Sequence, residues 1–142
     1  MVTREMFEEF VRILTRLRET ATEGGSLILV EGDRDRRALS RIGLPRESIV
    51  LVHDGRSLPE LASRLAARGR PIILLTDWDG KGGTLIRHLT RLLQGSSVPV
   101  DTETRRRLAR VVRGDIVSVE ELSGWAERYS ETFHCPLSAG PA

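Results

Sequence analysis

Three short apolar runs constrain this chain most. Leu27 to Val30, Ile49 to Val52 and Ile72 to Leu75 are each continuously apolar. That pattern fits strands covered on both faces rather than one face open to water. Each run is followed by a polar turn and then by a segment of helical spacing. Asp33 to Ile42 predicts a helix with acids in its first turn, where the helix dipole favours them. Ser57 and Glu60 have capping-box spacing ahead of Leu58, Leu61 and Leu65. Leu85, Leu89, Leu92 and Leu93 mark a third helix, with Arg87 and Arg91 on another face. Three strand–helix units in series imply right-handed crossovers and a parallel α/β sheet.

The flanks read as helical. Phe7, Phe10, Leu14 and Leu17 recur at spacings of three and four before Glu23-Gly24-Gly25-Ser26 breaks the pattern. Asp101 to Val112 predicts a further helix and Ile116 to Val119 a short last strand. Leu122, Trp125, Ala126 and Tyr129 share one face of a final helix, and His134 to Ala142 reads as a loose tail. The expected organisation is an N-terminal helix and linker over 1–25, an α/β domain over 26–120, and a C-terminal helix and tail over 121–142.

At 142 residues the chain is long enough to bury a core without disulfide or metal staples. Cys135 is the only cysteine, which excludes an internal disulfide and a multi-cysteine zinc site. No run is apolar enough for a membrane span, and Glu5, Glu8 and Glu9 stand where a signal peptide would be basic and then apolar. A reducing, cytoplasmic setting is expected. The net charge of +2 is unevenly spread: residues 81–113 carry eight basic and two acidic side chains, and residues 114–142 one basic and five acidic. The basic block reads either as a solvated helix face or as a track for a polyanion.

In parallel sheets ligands bind beyond the carboxyl ends of the strands. Glu31-Gly32-Asp33-Arg34-Asp35 follows the first run, His53-Asp54-Gly55 the second, and Asp77-Trp78-Asp79-Gly80-Lys81-Gly82-Gly83 the third. Carboxylates thus gather at one sheet edge, where they repel unless a cation or protons intervene. An all-oxygen set suits Mg²⁺. The plainer alternative is that these acids cap helices and turns; it is favoured for Asp33 or Asp54 alone, and the metal site for Glu31, Asp77 and Asp79 together.

Val30-Glu31-Gly32 with Asp35, followed by Thr76-Asp77-Trp78-Asp79-Gly80 after a later strand, resembles the two signatures of the Toprim domain. The resemblance spans roughly residues 26 to 120. Val100-Asp101-Thr102-Glu103, Arg106, Ile116 and the Val119-Glu120-Glu121-Leu122 run further resemble small stand-alone archaeal Toprim proteins. The resemblance implies a Rossmann-like sheet. It implies that Glu31 serves acid–base chemistry or helps hold metal, that Asp77 and Asp79 bind Mg²⁺ (or Mn²⁺), and that Asp35, at the acidic position that often follows the Glu-Gly pair, is a further metal ligand or supports the ligands from behind. The implied activity is metal-dependent phosphodiester chemistry on DNA or RNA. The alternative is a catalytically silent module that binds nucleic acid or a protein partner.

Three rival motifs fit less well. A dehalogenase-type phosphatase and a response-regulator receiver both need a later lysine, and none follows Lys81. A Walker loop needs Gly where Thr76 stands and Ser or Thr where Gly82 stands. Lys81, the sole lysine against 21 arginines, is a candidate phosphate contact in a glycine-rich turn. Arg87, Arg91, Arg105, Arg106 and Arg107 are the candidate nucleic-acid contacts. Trp78 reads equally as a base-stacking or a core residue. Tyr129 and Trp125 read as core, and His53 and His88 as surface.

Overall fold

The computed structural model describes residues 1–137. Its sheet has four parallel strands in the order β2-β1-β3-β4: β1 (Leu27–Val30), β2 (Ile49–Leu51), β3 (Ile72–Leu74) and β4 (Val100–Asp101). Ile28 is in register with Ile49 on one side and Ile73 on the other, so β1 and β3 are the central strands. Six α-helices surround them: α1 (Arg4–Thr22), α2 (Asp33–Arg41), α3 (Leu58–Arg68), α4 (Gly80–Leu93), α5 (Glu103–Val112) and α6 (Leu122–Phe133).

The absence of alternation in the strand sequences has its reason here. Successive side chains of a strand point to opposite faces, and both faces are covered. Ile28, Val30, Ile73 and Leu75 enter one core with Phe7, Phe10, Leu39, Leu108 and Trp125. Leu27, Leu29, Ile72 and Leu74 enter a second core with Leu61, Leu65, Leu89 and Leu93. Helices α1, α2, α5 and α6 therefore lie on one face of the sheet, and α3 and α4 on the other.

Three expectations are corrected. Ile116 to Val119 is not a strand. The segment runs beside the end of β3, where the Val117 carbonyl accepts the Trp78 amide at 3.3 Å, and it turns into a 3-10 turn at Val119–Glu121. The fourth strand is β4, placed where the sequence suggested the start of a helix. Asp101 ends that strand, and its Oδ1 accepts the amides of Glu103 at 2.8 Å and Thr104 at 3.1 Å, capping α5. A two-residue strand is too short to leave a periodic signal. At the C-terminal end, His134 closes α6 in the left-handed region, and the Leu137 carbonyl accepts from Arg18 at 3.3 Å. Residues 134–137 are thus anchored rather than loose; the rest of the expected tail, 138–142, lies outside the described residues.

Candidate metal centre

The chain leaves β1 toward β2 through α2 and returns through α3 to β3, on the far side of β1. Strand order therefore reverses between β1 and β3, and the crevice beyond their carboxyl ends is where such sheets bind ligands. Glu31 directly follows β1 and Asp77 lies just past β3, so the switch point brings them together. The Asp77 amide donates to Glu31 Oε2 at 2.9 Å.

Asp77 is held at every polar backbone atom. Its carbonyl accepts Arg105 Nη2 at 2.6 Å, and its Oδ1 accepts the Val119 amide at 2.7 Å. Oδ2 has no hydrogen-bond partner among the described residues. Asp77 is half-buried, and desolvation with the nearby negative charges of Glu31, Asp35 and Asp79 outweighs the Val119 bond and pushes its carboxyl up to about 6.

Asp79 caps α4: its Oδ1 accepts the Gly82 amide at 2.7 Å. The capping role is therefore what the fold shows for this residue; its other oxygen has no hydrogen-bond partner among the described residues. Asp35 is buried in the first turn of α2, and its Oδ2 accepts the Gly32 amide at 3.0 Å. Burial, then the neighbouring charges of Glu31 and Glu120, raise its carboxyl above the ordinary range despite that bond. Asp35 braces the turn after Glu31.

Chemically the trio fits a hard divalent cation: three carboxylates, all oxygen donors, each keeping one oxygen out of the hydrogen bonds above. The oxygens do not converge, however. Among the described residues no group of three His, Cys, Asp or Glu side chains is placed to hold a metal ion. Glu31, Asp77 and Asp79 each turn one oxygen to a backbone N–H instead.

The glycine-rich stretch is not a loop. Gly80, Lys81, Gly82 and Gly83 form the first turn of α4, with Lys81 exposed. A Cβ on Gly82 would stand 1.8 Å from the Asp77 carbonyl oxygen, so glycine is required for the helix to approach the strand end. Thr76, fully buried, ties the same turn down by donating from Oγ1 to the Gly82 carbonyl at 2.8 Å. Trp78 is docked rather than free: its indole N–H donates to the Ile116 carbonyl at 2.8 Å and its ring packs on the core.

The basic block is divided by the sheet. Lys81, Arg87 and Arg91 are carried on α4, all three exposed, and none of them is ion-paired among the described residues. Arg105, Arg106 and Arg107 belong to α5 on the opposite face. Arg106 pairs with Glu103 at 2.7 Å and Arg107 with Glu9 at 3.2 Å. Arg105 turns inward, donating from Nε to the Thr76 carbonyl at 2.9 Å as well as to Asp77. A single track through all five arginines is therefore not what the fold presents. Trp125 packs against Phe7 and Phe10 as a core residue, while Tyr129, stacked on Phe133, is half-buried at the edge of that core. His53 and His88 are exposed. Sequence reasoning missed the Val119 amide and the inward Arg105. Nothing in the local sequence marks either.

Residues 26–113 match the model of the Toprim domain. The chain belongs to the Toprim family. It is similar to small archaeal proteins named UPF0292. That of Thermococcus gammatolerans is 41% identical over 120 residues, covering 84% of this chain and 85% of the relative. That of Pyrococcus horikoshii is 39% identical over 132 residues, covering 93% and 95%. A solved structure of a protein from Aquifex aeolicus matches with a TM-score of 0.64 at 25% identity, covering 78% of this chain and 94% of the other. Toprim is a metal-binding fold tied to nucleic acids, and its members generally bind divalent ions such as Mg²⁺. No helix among the described residues is long and apolar enough to cross a membrane.

Proposed function

We propose that this Toprim protein carries out Mg²⁺-dependent phosphodiester chemistry on a nucleic acid, in the manner of a nuclease or an RNA- or DNA-processing factor. The observation that carries this reading is the half-buried Asp77 beside Glu31 at the switch point, its carboxyl pushed up to about 6 partly by the carboxylates around it. A cation in that crevice relieves the repulsion that otherwise favours protonation.

Glu31, Asp77 and Asp79 would hold Mg²⁺, or Mn²⁺ in its place. The ion supplies Lewis-acid polarisation of a phosphodiester oxygen. The chain's own residues do the rest. Glu31 positions Asp77 through Oε2, and its Oε1 is the atom available to take a proton from an attacking water or hydroxyl. The N-terminus of α4 offers anion-binding amides at Gly80 and Lys81. The Lys81 ammonium, two residues beyond Asp79, sits on the same turn as a mobile point charge for phosphate. Arg87 and Arg91, without an ion pair among the described residues, would continue the positive surface along α4 away from the acids, for DNA or RNA.

The experiment is cleavage of labelled DNA and RNA panels with and without Mg²⁺ or Mn²⁺, beside calorimetry of the metal alone. Metal-dependent cleavage lost in Asp77→Asn and Asp79→Asn supports the reading. Lys81→Ala should slow single-turnover cleavage with metal affinity nearly intact. The second reading, a silent module binding nucleic acid or a protein partner, is favoured by the three carboxylates that do not converge. Metal binding without cleavage of any substrate would select it.

A further inference from the structure

Arg105 is the one arginine of the basic block that turns inward to main-chain carbonyls, and the strand ends it meets explain why. Beyond Leu74 the β3 backbone runs past the sheet. Leu75 still bonds to β1, its amide donating to the Leu29 carbonyl at 2.8 Å, but β4 ends at Asp101 and has no amide to give Thr76 or Asp77. Buried or half-buried carbonyls need donors. Arg105, in the first turn of α5, supplies both from one planar fork: Nε to Thr76 at 2.9 Å and Nη2 to Asp77 at 2.6 Å. A fork of fixed geometry sets the direction of two successive carbonyls, which a lysine cannot do. Fixing the carbonyls of residues 76 and 77 fixes the peptide plane between them. That plane carries the Asp77 amide held by Glu31, and it aims the side chain toward the Val119 amide.

We propose that Arg105 is a positioning residue for the acidic site: its guanidinium clamps the Thr76 and Asp77 carbonyls so that Asp77 presents its carboxylate to a divalent ion. This rests on the metal-binding reading above. It assigns Arg105 to the site rather than to a nucleic-acid track. Arg105 also places a positive charge near Asp79, Asp77 and Glu31, which favour its charged form against the burial that opposes it. Charge alone and geometric clamping make opposite predictions for a metal ion. Removing a nearby positive charge tightens cation binding, whereas removing the clamp weakens it.

The test uses the full chain with Arg105→Ala, Arg105→Lys and, as a control, Arg106→Ala. Calorimetry reads the Mg²⁺ affinity, and amide hydrogen exchange in metal-free protein reads the Asp77 and Val119 N–H groups. Groups that orient metal ligands from behind typically cost about 10–100-fold in affinity when lost. Both Arg105 variants are expected to weaken Mg²⁺ binding by about tenfold or more, and to speed exchange at Asp77 and Val119 with β1 amides unchanged. Arg106→Ala should change neither. If Arg105→Ala binds Mg²⁺ more tightly and Arg105→Lys binds it as wild type does, charge is its whole role and the proposal is overturned. Unchanged exchange at Asp77 and Val119 overturns it equally. Should Arg105→Ala fail to fold, Arg105→Lys decides alone. Wild type that binds no Mg²⁺ overturns the metal reading instead, and the exchange rates then decide whether Arg105 holds Asp77.

Discussion

The Asp77 amide and the Glu31 carboxylate, 46 residues apart in the chain, meet at 2.9 Å across the point where the sheet reverses its strand order. One carboxylate thus belongs to two tasks. It satisfies a strand-end amide that no neighbouring strand can reach, and it contributes negative charge to the crevice. The two tasks separate by substitution. Glu31→Gln keeps an oxygen acceptor for the amide but removes the charge. Glu31→Ala removes both. Thermal denaturation should place Glu31→Gln near wild type, while Glu31→Ala loses about 1–3 kcal/mol from the unsatisfied amide. Both should lose Mg²⁺ affinity by calorimetry. Equal stability of the two variants would show that the hydrogen bond is not what Glu31 contributes to the fold.

The pH dependence of stability follows from Asp77. Its carboxyl stands at about 6 in the folded chain against an ordinary 3.8. Between those values the native protein keeps a proton that the unfolded chain has released, so stability falls as pH rises through the window. Above about 6 both states are ionised and the full cost remains. Asp35, shifted in the same direction, adds to the slope. Asp33, Asp54 and Glu9 are shifted down by their arginine and backbone partners and act oppositely, below their ordinary range. Melting of the metal-free protein should therefore show a lower Tm at pH 7 than at pH 5, with Asp77→Asn flattening the difference. Mg²⁺ at pH 7 should raise the wild-type Tm and leave that of Asp77→Asn unmoved.

Gly82 and Gly83 are neighbours with different burdens. A Cβ at Gly82 would overlap the Asp77 carbonyl, which is backbone and held by Arg105; at Gly83 the nearest atom is an arginine nitrogen 3.7 Å away. Gly82→Ala should cost about 1–3 kcal/mol or more, as overpacking against backbone does, and should weaken metal binding by displacing Asp77. Gly83→Ala should be neutral or stabilising by up to about 1 kcal/mol from helix propensity. Chemical denaturation of both variants checks the contrast.

Salt dependence should separate the two faces of the sheet. If α4 lies along a nucleic-acid backbone, affinity falls with salt by a log–log slope of about −0.7 to −0.9 per phosphate contacted. Arg87→Ala with Arg91→Ala should flatten that slope by one to two contacts. Arg106→Ala with Arg107→Ala, which remove residues already paired with Glu103 and Glu9, should leave it nearly unchanged. The reverse result would place the path on α5.

Much of this fold was legible because its signals are local. The apolar runs at 27–30, 49–52 and 72–75 became β1, β2 and β3. The helical spacings around Leu61 and Leu89 became α3 and α4, and Ser57 caps α3 by accepting the Glu60 amide at 3.3 Å. The acids after β1 and β3 were legible as a set because chain order alone puts them at the carboxyl ends of their strands. The misread places share one cause, the lack of a local signal. Val100 and Asp101 form a strand only because β3 lies beside them, with Ile72 in register with Val100. Ile116 to Val119 has strand-like residues, but its bonds go to Trp78 and Asp77 and it joins no sheet ladder.

Period and order along the chain are written in the residues. From them come the three main strands and the helices, the covering of both sheet faces, and the acids that stand at the strand ends. The order β2-β1-β3-β4, and with it the meeting of Glu31 and Asp77, exists only once the chain has packed. So do the separate fates of Arg105, Arg106 and Arg107. Consecutive residues on a helix point about 100° apart, so three identical side chains meet three environments: main-chain carbonyls, Glu103 and Glu9. Residue type cannot distinguish them, because their roles come from the groups that the fold brings against each face of α5.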